Sequence, residues 1–235
     1  AIYKNLNTAQ KKAVDNIEGP VMVIAGPGTG KTQILGARIG KILLETDTAP
    51  ENILCLTYTD AGAIAMRKRL VSFIGSSAYK VTISTFHSFC NDIIQDNLSL
   101  FDKTSLDPIS ELEKIELLKK LIDGFEKNNP LKRYRGDVYF EMSNLAKLFS
   151  AMKKEGWTSQ YLIERIDAYI QEIPFRDEFI YKRKYKQFEA GALKQGLVDV
   201  ELEKMSKVKA AVNCFDIYQE LMKSHNRYDF DDMIN

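Results

Sequence analysis

Residues Ala25–Thr32 read Ala-Gly-Pro-Gly-Thr-Gly-Lys-Thr, the most informative stretch of the chain. It follows the apolar run Val21–Ile24 and opens a segment whose apolar residues recur at helical spacing. A buried strand, a glycine-rich loop and a helix in this order predict a P-loop, whose backbone N–H groups surround a polyphosphate. The alternative is a tight strand-to-helix turn with an incidental lysine. The motif and its context together favour the P-loop.

Two side chains of this loop carry the predicted chemistry. We expect Lys31 to reach the β- and γ-phosphates of a nucleoside triphosphate as a mobile point charge. We expect Thr32 to offer its hydroxyl to Mg²⁺, while the N-terminus of the following helix adds about half a positive charge. Lys31 and Thr32 are therefore the predicted catalytic residues, and Thr32 is the predicted metal ligand.

The composition is that of an ordinary globular protein. The chain has 235 residues, enough for two cores, with 45% hydrophobic and 28% charged residues and a net charge of +1. This balance gives no global sign of nucleic-acid binding, so any such surface must be a local patch. Scattered cysteines and only two histidines argue against a zinc site and favour free thiols in a cytoplasmic protein. No apolar run approaches the ~18 residues of a membrane span.

Up to about residue 100 the sequence alternates between strand and helix patterns. Strands separated by helices of this length predict a parallel sheet covered by helices. The predicted strands are 21–25, 53–58 and 81–85. The predicted helices are 9–17, 31–44, 61–74 and one that runs from the third strand through residue 94.

From about Phe101 the pattern becomes helical, which predicts an inserted all-α subdomain over residues 104–205. Ser110 followed by Glu113 is a helix-start signal, and Ser159 is the predicted cap of a later helix. We find no convincing strand in this subdomain, although 138–140 is arguable. A further helix is predicted before Tyr228.

Four more segments narrow the identity of the protein. Gln10 lies upstream of the P-loop, and its amide matches the donor and acceptor of an adenine edge, although glutamine is also common at helix starts. Thr57–Leu70 follows the second strand, Thr85–Phe89 follows the third, and Tyr218–Ile234 contains Asp-Phe-Asp-Asp. In this order the segments resemble those of the UvrD/Rep-like superfamily 1 DNA helicases, over about residues 1–100 and 212–235.

The resemblance implies the N-terminal motor domain of an ATP-dependent DNA helicase. It implies a RecA-like P-loop domain with a parallel sheet and helical cover, formed by residues 1–103 and 206–235 and interrupted by the all-α subdomain 104–205. It also implies translocation on single-stranded DNA, usually 3′ to 5′ in the family, with ATP and Mg²⁺ as cofactors and single-stranded or partly duplex DNA as partner. The implied ATP-binding residues are Gln10, Gly26, Pro27, Gly28, Thr29, Gly30, Lys31, Thr32 and Gln33.

Other functions remain open at this point. A motor subunit of a helicase–nuclease would carry the same motifs. A P-loop kinase or phosphotransferase would leave Thr85–Phe89 unexplained, and a non-catalytic module could use nucleotide as a switch. The chain resembles a piece of a longer polypeptide that stops before the Walker B carboxylates and the second motor domain, so we expect it to hydrolyse ATP poorly alone. Leu197–Glu201 is a weak internal candidate for Walker B.

The resemblance further implies a single-stranded DNA path at the carboxyl ends of the second and third strands. Tyr58 and His87 offer rings for base stacking, and Thr59 and Thr85 offer hydroxyls to phosphates. The alternatives are a core residue for Tyr58 and an ordinary helix-start histidine for His87. Three positions depart from the family pattern in ways that weaken the expected contacts: Asp60, Ala61 and Gln33.

Two charged segments allow more than one interpretation. Phe179–Phe188 interleaves bases with aromatic residues, which suits nucleic-acid contact but also an amphipathic helix whose Lys and Arg side chains snorkel. Asp229, Asp231 and Asp232 resemble a metal site. Their position favours a helix start, where Asp side chains accept hydrogen bonds from free N–H groups.

Overall fold

The chain folds into helices and a few short strands and is mostly helical. The structure, a computed structural model, describes residues 2–235. The chain divides into two compact units, one ending at Asp96 and the other running from Asn97 to Asn235. Among the described residues, no helix is both long enough and apolar enough to cross a membrane. The predicted boundaries of motor domain and insertion stay a prediction.

The first unit is built on a parallel strand pair joined by a helix. Cys55 lies opposite Ile83 and Thr57 opposite Thr85, so the carboxyl ends of both strands meet at one edge. The connecting helix packs Met66 into a small core beneath the strands. The elements are α1 (Thr8–Asp15), α2 (Lys31–Glu45), β1 (Leu54–Thr57), α3 (Asp60–Ile74), β2 (Thr82–Thr85) and α4 (Phe86–Asp96).

The predicted strand at 21–25 is wrong in this structure. Residues 20–26 have no regular secondary structure, and the side chains of Met22 and Ile24 are 87% and 89% exposed. A strand is held by hydrogen bonds to a neighbouring strand. β1 and β2 form a two-stranded sheet that does not include this segment. The apolar sequence is therefore present without the pairing that would make it a strand.

The second unit contains one large helical core. Four helices contribute buried residues to it, and the longest of them runs for 30 residues. Its elements are β3 (Asp107–Pro108), α5 (Glu111–Asp123), α6 (Met142–Glu155), α7 (Ser159–Glu172), α8 (Gln195–Ser224), β4 (Arg227–Tyr228) and α9 (Phe230–Ile234). The capping box predicted for Ser110 and Glu113 is confirmed at the start of α5.

The all-α character predicted for 104–205 needs correction. β3 lies inside this range and pairs in parallel with β4, because the Asp107 N–H donates to the Asn226 carbonyl and the Ile109 N–H to the Tyr228 carbonyl. A strand of two residues leaves no periodic pattern to detect. The arguable strand at 138–140 is instead a turn leading into α6.

Three local predictions in this unit were also wrong or displaced. The cap of α7 is Thr158, whose hydroxyl accepts from the Tyr161 N–H, one residue before the predicted Ser159. Leu197–Glu201, the weak Walker B candidate, lies within α8 and is not a strand. The helix considered for Phe179–Phe188 does not form, and antiparallel bridges occur there instead.

Candidate nucleotide-binding site

The predicted P-loop is an exposed turn that leads directly into α2. Gly28 and Gly30 have φ angles of 74° and 84°, a left-handed conformation that glycine adopts without steric cost. The Thr29 hydroxyl donates to the Gly26 carbonyl at 2.7 Å and closes the turn. Gly30 is the N-cap of α2 and has no side chain to accept from the first amides of the helix. Those amides and the helix dipole form a favourable place for an anion.

Lys31 lies across this loop. It is the first residue of α2, and its Nζ donates to the Ala25 and Gly26 carbonyls at 3.1 and 3.0 Å. The ammonium group is thus held over the loop where the motif predicts a polyphosphate. Carbonyl hydrogen bonds on an exposed lysine are weak enough to be exchanged for phosphate oxygens, which bind a cation more strongly.

Gln10 contacts the loop from α1. Its Oε1 accepts from the Asn7 N–H at 2.9 Å in a capping box, and its Nε2 donates to the Thr29 carbonyl at 3.0 Å. The sequence predicted an adenine contact for this amide but not its bond to the P-loop. A Gln-to-loop bond between residues 19 positions apart leaves no sequence pattern of its own.

An open cleft lies between α2 and α3. Its volume is about 590 Å³, and Gln33 lines it together with two bases of α3, Lys68 and Arg69. Gln33 was predicted to depart from the family pattern in a way that weakens a contact at this position. The two bases, which sequence reasoning missed, supply positive charge next to it.

The predicted DNA contacts meet at the carboxyl edge of the β1–β2 pair. Tyr58 directly follows β1 and is 87% exposed, which excludes a core role for its ring. Its ring centroid lies 5.3 Å from that of Phe86, the first residue of α4. His87 is half-buried in the first turn of the same helix. Phe86 was not predicted as a site residue, although an aromatic residue directly after a strand was the available signal.

Both threonines of this edge are used as helix caps. Thr59 caps α3, where its hydroxyl accepts from the Gly62 N–H at 3.0 Å. Thr85 is buried, and its hydroxyl accepts from the Ser88 N–H at 3.1 Å. Each hydroxyl keeps one hydrogen to donate. Asp60 lies in the first turn of α3, where an acid stabilises the helix dipole.

The terminal acids form a cap and an ion cluster. Asp229 caps α9 in a capping box with Asp232, as predicted, and Lys153 of α6 donates to both carboxylates at 2.8 Å. Burial works to raise the pKa of Asp229, but the hydrogen bonds and charge of Lys153 outweigh it and lower that pKa. Burial and the neighbouring Asp229 raise the pKa of Asp232. The Lys153 pairing, across 76 residues of sequence, was not predicted.

Comparison with known proteins agrees with these motifs. The family described as UvrD/REP helicase N-terminal domain matches residues 6–235. The ATP-dependent DNA helicase PcrA of Staphylococcus epidermidis is 42% identical over 95 residues, which cover 40% of this chain and 13% of that protein. PcrA of Staphylococcus aureus is 40% identical over a stretch with the same coverage. The match therefore spans a small part of these relatives.

Proposed function

The chain belongs to the UvrD/REP helicase N-terminal domain family, and we propose that it is the ATP-binding part of an ATP-dependent DNA helicase. The observation that carries the proposal is the glycine turn Gly26–Gly30 with the Lys31 ammonium held across it at the start of α2. Family membership supports a RecA-like sheet, of which β1 and β2 are two strands. We further propose that 1–103 and 206–235 form the motor domain and 104–205 its insertion.

ATP fits the hydrogen-bond donors of this loop, and Mg²⁺ fits its threonine hydroxyl. Lys31 would exchange its loop carbonyls for the β- and γ-phosphates, and the free amides of α2 would bind phosphate oxygens. Thr32 would hold Mg²⁺, which would neutralise phosphate charge. The remaining contacts are assigned to Gln10 on adenine and to the loop residues Gly26, Pro27, Gly28, Thr29, Gly30 and Gln33.

DNA is proposed to run along the carboxyl edge of β1 and β2. The exposed rings of Tyr58 and Phe86 support stacking of unpaired bases, and His87 and the hydroxyls of Thr59 and Thr85 are assigned to the same strand. Asp60 opposes phosphate there, so we expect binding that is weak and strongly salt-dependent. Single-stranded translocation, with the 3′-to-5′ direction usual in the family, is part of the proposal.

Hydrolysis is proposed to need residues from elsewhere in the polypeptide. The similar PcrA helicase is matched by this chain over 13% of its length, and phosphoryl transfer requires carboxylates that hold the metal and orient water. We therefore expect little ATP turnover by this chain alone. Because ATP and DNA are both available inside the cell, we propose a cytoplasmic location.

The experiment that tests the proposal is a titration of a labelled, non-hydrolysable ATP analogue with Mg²⁺ into wild type and Lys31→Ala. Loss of charge-assisted hydrogen bonds worth about 1.5–3 kcal/mol should weaken binding roughly ten- to a hundredfold. Lys12→Ala removes an exposed lysine from α1 of the same unit and should bind as wild type. Equal affinities of wild type and Lys31→Ala would exclude the P-loop as the nucleotide site.

A further inference from the structure

A basic hairpin projects from the second unit between α7 and α8. We use this name for residues 180–194. The Tyr185 and Phe188 N–H groups donate to each other's carbonyls at 2.9 Å, and the Tyr181 N–H donates to the Ala192 carbonyl at 2.9 Å. Lys186 turns the chain with a φ of 53°, in the left-handed region. The segment is thus an ordered reversal of the backbone.

Three aromatic rings of the basic hairpin form a stack. The Tyr181 ring lies between the others, 5.0 Å from Phe188 at an interplanar angle of 9° and 5.9 Å from Tyr185 at 11°. Tyr185 is 53% and Phe188 36% exposed. None of the three rings belongs to the buried cluster nearby, which consists of Ile173, Phe179 and Val198. Nearly parallel rings kept at the surface add little to core stability. The stack leaves the outer faces of Tyr185 and Phe188 for a ligand, and the Lys186 Nζ lies 5.3 Å from the Tyr185 centroid.

The basic hairpin also concentrates positive charge. Five of its fifteen residues are Lys or Arg, and Glu189 is its only acid. Lys182 and Lys184 pair with Asp177 and Glu189, but these four side chains are each about two-thirds or more exposed. Such exposed pairs are weak and are readily exchanged for another anion. Arg183 is exposed and has no hydrogen bond or ion pair among residues 2–235.

We propose that the basic hairpin is a second binding surface for single-stranded DNA, with phosphates on its Lys and Arg side chains and unpaired bases on its aromatic stack. Stacked rings beside a cationic strip are the combination that single-strand binding uses. A duplex hides the faces of its bases, so it would contact only the Lys and Arg side chains of the basic hairpin. The inference rests on the proposed function for the choice of DNA as the polyanion. It does not depend on the edge at Tyr58.

The test is the binding of a labelled oligo-dT strand of about 16 nucleotides to the whole chain at low salt, measured by fluorescence anisotropy. Tyr185→Leu keeps apolar volume but removes the ring, and should weaken binding roughly five- to a hundredfold. Tyr185→Phe keeps the ring and should restore binding, which separates stacking from a loss of hairpin structure. Arg183→Glu should weaken binding and reduce the salt slope by about 0.7 per lost phosphate contact. Lys147→Glu, the same change of sign at an exposed residue of the same unit, should have a much smaller effect.

Several outcomes would overturn the proposal. These are wild-type affinity in both Tyr185→Leu and Arg183→Glu, equal losses in Arg183→Glu and Lys147→Glu, or failure of wild type to bind the strand. Equal or tighter binding of a duplex of the same length, or equal competition by polyglutamate, would indicate a general anion-binding surface and not a base-stacking site. The ATP-analogue titration keeps the two proposals apart. Hairpin variants should bind the analogue as wild type does, and a failure of Lys31→Ala to weaken it leaves the hairpin result standing.

Discussion

The two units of this chain bury their apolar residues in different ways. The second unit gathers sixteen buried side chains into one cluster, from α5, α6, α7, α8 and the segment between α5 and α6, and it has a further cluster of three. The described part of the first unit has two separate clusters of six and three, and its apolar segment Val21–Ile24 is exposed. Since burial of apolar surface is the main source of stability, we infer that the second unit is the more stable, while the proposed nucleotide site lies in the less stable one.

The difference indicates where each kind of structure originates. The glycine turn of the first unit is set locally, by φ angles and by caps such as the Asn7–Gln10 box. The second unit is set by helical periodicity and by one buried ion cluster that joins α6 to α9. Loops that bind ligands are commonly found in the less stable part of a protein. Three substitutions test this contrast, in order of decreasing effect.

The largest expected effect comes from Lys153→Met in the second unit. Lys153 is buried, and its loss leaves Asp229 and Asp232 without a cation, a change that typically costs about 3–5 kcal/mol. Denaturant unfolding should show the lower free energy of unfolding. Hydrogen exchange should become faster in α6, α8 and α9. Lys154→Met, at the exposed neighbouring position whose partner Asp231 lies 3.7 Å away, should change stability by less than about 1 kcal/mol. If the two changes had equal effects, the ion cluster would not be a source of the second unit's stability.

A smaller effect is expected from Gly36→Ala in the first unit. A Cβ at this position on α2 would lie 2.5 Å from the Phe73 ring of α3. The ring must move, and overpacking of this kind costs about 1–3 kcal/mol. Gly40→Ala is the matched control on the same helix, because its Cβ would meet Ile74 at 3.6 Å, an ordinary contact. Exchange should accelerate in α2 and α3 of Gly36→Ala only; a more stable Gly36→Ala protein would show that this unit is loosely packed at the α2–α3 contact.

The smallest effect concerns pH and the cap of α5. The backbone and hydroxyl of Ser110, together with Arg227, lower the pKa of Glu113 to about 2. Its folded-state pKa lies below its unfolded value, so its contribution to stability is full above the unfolded pKa and is lost as the pH falls through about 2. Glu113→Gln should therefore be less stable than wild type at neutral pH. The difference in the free energy of unfolding should shrink as the pH falls. A difference that grows on acidification would contradict this assignment.

The sequence predicted most of what is local and little of what is distant. Helices α1 and α3 occur within a few residues of their predicted bounds, and α5 begins at its predicted start signal, because caps and periodicity are local to each helix. The strand at 21–25 failed because a strand depends on a partner that its own residues do not specify. The caps of α7 differ by one residue because Thr158 and Ser159 can both accept from a helix amide.

The candidate site shows the same division. The loop residues and the edge positions of Tyr58 and His87 were predicted from motifs, since each motif is contiguous. Other features depend on contacts between residues far apart in sequence. These are the Gln10 bond to Thr29, the cleft that Lys68 and Arg69 line with Gln33, and the Lys153 cluster. Periodicity and composition carry no information about such pairs, so they required the fold.

We propose that the P-loop of the less stable unit binds ATP, and hydrogen exchange of the whole chain with and without an ATP analogue and Mg²⁺ is the test. We predict that added nucleotide slows exchange over Gly26–Ile34, at the glycine turn and the first turn of α2. The amides of α8 should exchange slowly in both samples and be unchanged. Protection that arises only in the second unit, or no protection at the loop with a saturating analogue, would contradict the account.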